Sequence, residues 1–198
     1  QYVAMFNIGK AEEINLINYT NVYPANPSEI EENIAAETDV NLALPSKNNE
    51  QGFPALDYLL YGIAENDALI VELYRSGESN GYANYLNTLT ERLESMATDV
   101  LADWNNGYRT SFVENDGATA TSSVNKVVND YIFYYEKFLR AGKIGIPAGV
   151  FSGDPLADKV EAFYAQDVSK VLFMTALDAT KRFFNGTSFQ SDATGTGI

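Results

Sequence analysis

Three carboxylates sit in this sequence where a carboxylate is costly. Asp57 lies between Leu56 and Tyr58 in the stretch QGFPALDYLLYG, residues 51–62. Glu136 follows the aromatic run Tyr131-Ile132-Phe133-Tyr134-Tyr135, and Glu161 lies close to Val160 and Phe163. An acid in apolar company needs a hydrogen-bonding partner, a cation or a proton. Each is therefore a candidate for ligand binding, and Asp57 for holding a metal ion. The ordinary alternative is a buried acid that only fixes helix register. The chain contains no histidine and no cysteine. Thiolate nucleophiles, Ser-His-Asp and Cys-His arrangements, and zinc or haem held by imidazole are thereby excluded. Only oxygen donors remain, which suit a hard divalent cation such as calcium, or iron held by oxygen.

Other motifs are weaker. Ser123-Val124-Asn125-Lys126 matches S-x-x-K, but no K-T-G or S-D-N accompanies it, and a helix-capping serine explains it. Asn115-Asp116-Gly117 lacks the spaced acids of a calcium loop and reads as a turn. Lys143-Ile144-Gly145-Ile146-Pro147-Ala148-Gly149 lacks the order of a phosphate-binding loop and reads as a glycine-containing connection.

The elements that must position these residues are helical. From Gly81 to Phe112, apolar residues recur in steps of three and four at Tyr82, Leu86, Leu89, Leu93, Met96, Val100, Trp104, Tyr108 and Phe112. The spacing predicts one helix of about 45 Å. A second stripe runs from Val124 to Phe138. It is capped by Ser122 or Ser123 and stopped by Gly142 and Gly145-Ile146-Pro147. The two stretches, about 81–112 and 122–141, form a long antiparallel hairpin. Asn26-Pro27 with Glu29 reads as a capping box, Asp154-Pro155 as a second helix start before Leu156, Val160 and Phe163, and Asp167 as the cap of a last helix. The N-terminal pattern of Val3, Phe6 and Ile8 has no start signal. No alternation of period two runs beyond about four residues. The fold class expected is all-α, built of helical bundles.

Charge narrows the partners. A net charge of −14 repels nucleic acid and anionic lipid. No apolar run reaches the length of a transmembrane helix.

The stretch Gly52-Phe53-Pro54-Ala55-Leu56-Asp57-Tyr58-Leu59-Leu60-Tyr61-Gly62 resembles the imelysin family, the insulin-cleaving metallopeptidase-like proteins, whose hallmark is G-x-H-x-x-E before an apolar helix. Further similarities follow in order: Phe6-Asn7-Ile8-Gly9 with Ala11, Tyr23-Pro24, Trp104, Tyr135-Glu136, Gly145-Ile146-Pro147-Ala148-Gly149, Val160-Glu161 and Phe183-Phe184-Asn185-Gly186. The resemblance covers nearly the whole chain. It implies an all-helical fold of two bundle-like halves with the hallmark near their contact, and a chain that is the central portion of a longer protein, incomplete at both ends. It implies a bacterial envelope setting, periplasmic or anchored to the outer membrane by a lipidated N-terminus, and a link to iron uptake. In some members it implies metallopeptidase activity. This sequence carries Pro54 where the histidine would stand and Asp57 where the glutamate would stand. No catalytic residue is therefore assigned. The ligand-binding candidates are Gly52, Pro54, Asp57, Tyr58, Glu136 and Glu161, and the metal candidate is Asp57. The reading is non-catalytic binding of a small ligand, a metal or an envelope partner protein. A carboxylate- and metal-dependent hydrolase and a purely structural interaction module are the alternatives.

Overall fold

The backbone is built around one long helix that several short ones lean on. The computed structural model describes residues 7–36, 40–75 and 80–198; Val3 and Phe6 lie outside the described residues. Three helices come first among the described residues: α1 (Lys10–Glu13), α2 (Leu16–Thr20) and α3 (Pro27–Ala35). A 3-10 segment, Pro45–Glu50, leads into α4 (Gly52–Tyr61) and α5 (Asp67–Arg75). The long helix α6 spans Asn80–Asp103. After it come α7 (Arg109–Glu114), α8 (Ser123–Phe133) and α9 (Ser169–Phe184). The described residues contain one isolated antiparallel bridge, Thr187 to Thr194, and no strand. The all-α expectation therefore holds. No described helix is long and apolar enough to cross a membrane.

Local chemistry explains the starts of α3, α4 and α8. The Asn26 side chain accepts from the Glu29 backbone N–H, and Pro27 supplies the first helical position without needing a partner for a missing N–H. The Glu29 carboxylate turns to Lys47 instead of closing the capping box. Ser122 caps α8 by accepting from Asn125 N–H, and Asn115 closes the preceding turn by donating to the Thr121 carbonyl. Gly52 opens α4 at φ +73°, and a Cβ there would stand 2.3 Å from the Thr20 carbonyl oxygen. Only glycine lets the end of α2 and the start of α4 come this close.

Three expectations are corrected. The helix from 81 to 112 is not continuous. At Trp104–Tyr108 the winding loosens to a π-type turn, with Gly107 at φ +128°. An L-residue resists that conformation and glycine does not, so the glycine inside the apolar stripe marks the break. Asp154-Pro155 does not start a full helix. It leads to a single 3-10 turn, Ala157–Lys159, and then to irregular backbone in which Ala162 and Gln166 have positive φ. The last helix starts at Ser169, with Val168 and not Asp167 as its first flanking residue. Tertiary contacts to this segment, the bonds of the Tyr164 and Ala165 amides to Asp57 among them, outweigh its local helix signals.

The two long stretches are consecutive and joined by the predicted turn. The second is helical to Gly145, its last part, Tyr134–Gly145, wound in the wider π manner. Each packs mainly on other elements: α6 on α1, α3, α4 and α5, and Tyr134–Gly145 on α9. Of the apolar stripe of α6, Leu89 and Met96 are buried and Tyr82, Leu86, Leu93 and Val100 half-buried; Tyr85, outside the stripe as spaced, is buried too. Its upper part joins Ile30, Leu42, Ala55, Tyr58 and Leu59 in one core, and Met96 joins Ala11, Leu16 and Tyr19 in another. A third core gathers Tyr134, Leu139 and Ala176.

Candidate functional site

The first turns of α4 form one wall of a cleft of about 190 Å³. Pro54 and Asp57 lie on that wall. Tyr23, Pro24 and Pro27 form a second, and Asp158, Lys159, Val160, Phe163 and Tyr164 a third. The third wall is the irregular segment, so something other than helical hydrogen bonds must hold it.

Two carboxylates do so. Asp57 Oδ2 accepts from the Tyr164 backbone N–H and Oδ1 from the Ala165 backbone N–H, both at 2.9 Å. One side chain of α4 thus satisfies two neighbouring donors more than a hundred residues further along. A carboxylate accepting two amide N–H groups makes charge-assisted hydrogen bonds, stronger than neutral ones. Three residues earlier, Glu161 forms an ion pair with Lys143; their side chains are 11% and 5% exposed. The other Glu161 oxygen accepts from Asn21 Nδ2 at 2.6 Å. Asn21 precedes the Tyr23 wall and Lys143 belongs to the wide-wound segment, so Glu161 ties three parts of the chain together. Ser169, at the start of α9, donates its hydroxyl to the Glu161 carbonyl.

The remaining expected site residues divide. Gly52 lies against the Thr20 carbonyl, one turn before the cleft. Tyr58 points into the core. Its hydroxyl donates to Glu31 at 2.6 Å, and its ring meets Tyr164 edge-on at 5.1 Å. Tyr82 donates to the other Glu31 oxygen at 2.7 Å. Glu136 is exposed and pairs with Arg140 at 2.6 Å, away from the cleft. The structure therefore brings Pro54, Asp57 and the Glu161 segment together and leaves Glu136 outside. Tyr23, Phe163, Tyr164 and the Lys143 partner were not foreseen. Tyr23-Pro24 and the Lys143 loop were legible as motifs, but their convergence depends on chain geometry. Among the described residues no arginine pairs with Asp57; the backbone supplies its partners.

Burial and neighbouring charge set the state of the phenols that line the cleft. Burial, and then the Glu161 charge, push the Tyr23 hydroxyl well above the ordinary tyrosine range. Burial raises Tyr164 too, with the Asp57 charge adding to it. Both phenols are neutral donors at neutral pH. At the rim, Lys159 pairs with Asp158 at 2.7 Å and draws its carboxyl below the usual range.

The donor set does not fit a resident metal. A hard cation needs several oxygen ligands converging on one point. Both Asp57 oxygens face amide hydrogens, and Glu161 faces an ammonium and an amide. Among the described residues no group of three or more acidic or other ligating side chains is arranged to hold an ion.

A family model described as Imelysin (Peptidase_M75) matches residues 1–195. No curated protein and no solved structure matches the chain.

Proposed function

This chain belongs to the imelysin family, and from that premise we propose that it is a non-catalytic binding protein of the bacterial envelope that serves iron uptake. The observation that carries this reading is the use of the hallmark positions. Pro54 is buried in the first turn of α4 and has no group that ligates or titrates. Asp57 spends both oxygens on the Tyr164 and Ala165 amides. The pair that would perform hydrolysis elsewhere in the family here builds the wall of a cleft. The cleft takes a small ligand or a protruding side chain of a partner. Proline, alanine, valine and phenylalanine supply its apolar contacts, and the Tyr23 hydroxyl and the Asp158–Lys159 rim supply orientation.

The periplasm or an outer-membrane anchor is the setting this reading gives the protein. Family membership is what supports that placement and the link to iron. The test has two arms. Purified protein is incubated with denatured casein, with and without added zinc or calcium. The expected result is no hydrolysis above that of buffer. Hydrolysis lost on Asp57→Asn but kept by exposed-surface variants would overturn the non-catalytic reading. In the source bacterium, loss of the gene should slow growth only when iron is limiting. Unchanged growth under iron limitation would remove the link to iron.

A further inference from the structure

A second and larger cleft, about 750 Å³, opens between α1–α2, the segment around Leu42 and one face of α6. It stands apart from the Asp57 site and shares no lining residue with it. Arg92 lies on its wall and is held from two sides. Gln51 is 1% exposed. Its amide nitrogen donates to the Leu42 carbonyl at 2.6 Å and to the Lys47 carbonyl at 3.0 Å. With both amide hydrogens used, the Gln51 oxygen has one orientation, and Arg92 Nε donates to it at 2.7 Å. The guanidinium carbon lies 5.0 Å from the centroid of the Tyr19 ring. One hydrogen bond and one ring contact fix the plane of the guanidinium.

The terminal Nη groups are left over. Among the described residues neither has a hydrogen-bond partner, and no carboxylate forms an ion pair with Arg92. In a chain with net charge −14, an oriented guanidinium without a carboxylate partner in a cleft is unusual. It presents a two-pronged donor that matches a planar oxoanion. Glu91 and Asp99, on the same helix, line the same cleft. They repel a second negative charge on the ligand and attract a positive one.

We propose that this cleft binds a small zwitterion of the basic amino acid class. The carboxylate takes the Arg92 Nη groups and the ammonium groups face Glu91 and Asp99. Ile14 and Met96 on the lining receive the methylene chain.

L-lysine is the probe, titrated into the intact chain by calorimetry. L-lysine amide lacks the carboxylate, and glutarate replaces the cationic end by a second anion. The expected result is saturable binding of L-lysine, with the amide and glutarate each weaker by at least about tenfold, because each leaves a charged protein group without its partner. Arg92→Lys keeps the charge but loses the fork, and should weaken L-lysine by a similar factor. Equal affinity for L-lysine and its amide would overturn the carboxylate assignment. Glutarate binding as well as L-lysine would overturn the role of the acidic rim. Absence of saturable binding below about 10 mM would overturn the site. The ligand comparisons use the unaltered protein, so they stand even if an Arg92 variant folds poorly.

Discussion

At the scale of the residue, Asp57 finds its hydrogen-bond partners in the backbone. Asp57 accepts two amide N–H groups, and removing its charge should weaken both bonds. Asp57→Asn keeps the shape but turns one acceptor into a donor that faces an amide hydrogen. The expected loss is about 1–3 kcal/mol of stability, read from the urea midpoint. A loss below about 0.5 kcal/mol would mean that the two bonds contribute little in solution. The sequence showed that Asp57 needed a partner, because it stands between Leu56 and Tyr58. It did not show which one. Backbone amides far along the chain carry no signature in residue identity. Glu161 was legible for the same reason as Asp57. Glu136, whose aromatic neighbours precede it in sequence, lies on an exposed face that it shares with Arg140.

At the scale of the element, glycines explain where helices begin and break. Gly52 and Gly107 both have positive φ, but only Gly52 also meets backbone, with the Thr20 oxygen 2.3 Å from a built Cβ. A Cβ on Gly107 meets nothing within 4 Å. Gly107→Ala should therefore cost only the backbone term, about 1–2 kcal/mol. Gly52→Ala should cost more, because α2 and α4 must also separate. Equal losses for the two variants would mean that the α2–α4 approach relaxes without penalty. Helix existence was legible from apolar spacing, and starts at Asn26 and Ser122 were legible from capping chemistry. The break at Gly107 and the collapse of the expected helix after Pro155 were not. Both depend on which backbone conformation the assembled molecule imposes, and apolar periodicity continues through them unchanged.

At the scale of the whole molecule, buried phenols give the protein an alkaline limit. Burial and then the hydrogen bond to Glu31 raise Tyr58 beyond the ordinary tyrosine range and push Tyr82 up to about 12. Burial is also the main cause for Tyr85 and Tyr134, each pushed up to about 12. In the unfolded chain all of these ionise near pH 10. Between pH 10 and 12 the unfolded state therefore loses protons that the folded state keeps, so stability falls as pH rises through that window. Ultraviolet titration should show these tyrosines ionising only as the helical signal is lost. Ionisation of all thirteen tyrosines near pH 10 with helicity intact would contradict the burial described here. The most direct test of the central claim, that the hallmark carboxylate holds a wall in place and performs no chemistry, is amide hydrogen exchange at Tyr164 and Ala165. The account predicts slow exchange at both in the unaltered protein, unchanged by added zinc or calcium, and fast exchange at both in Asp57→Ala while α4 stays protected. Fast exchange in the unaltered protein, or release of the two amides when metal is added, would contradict it.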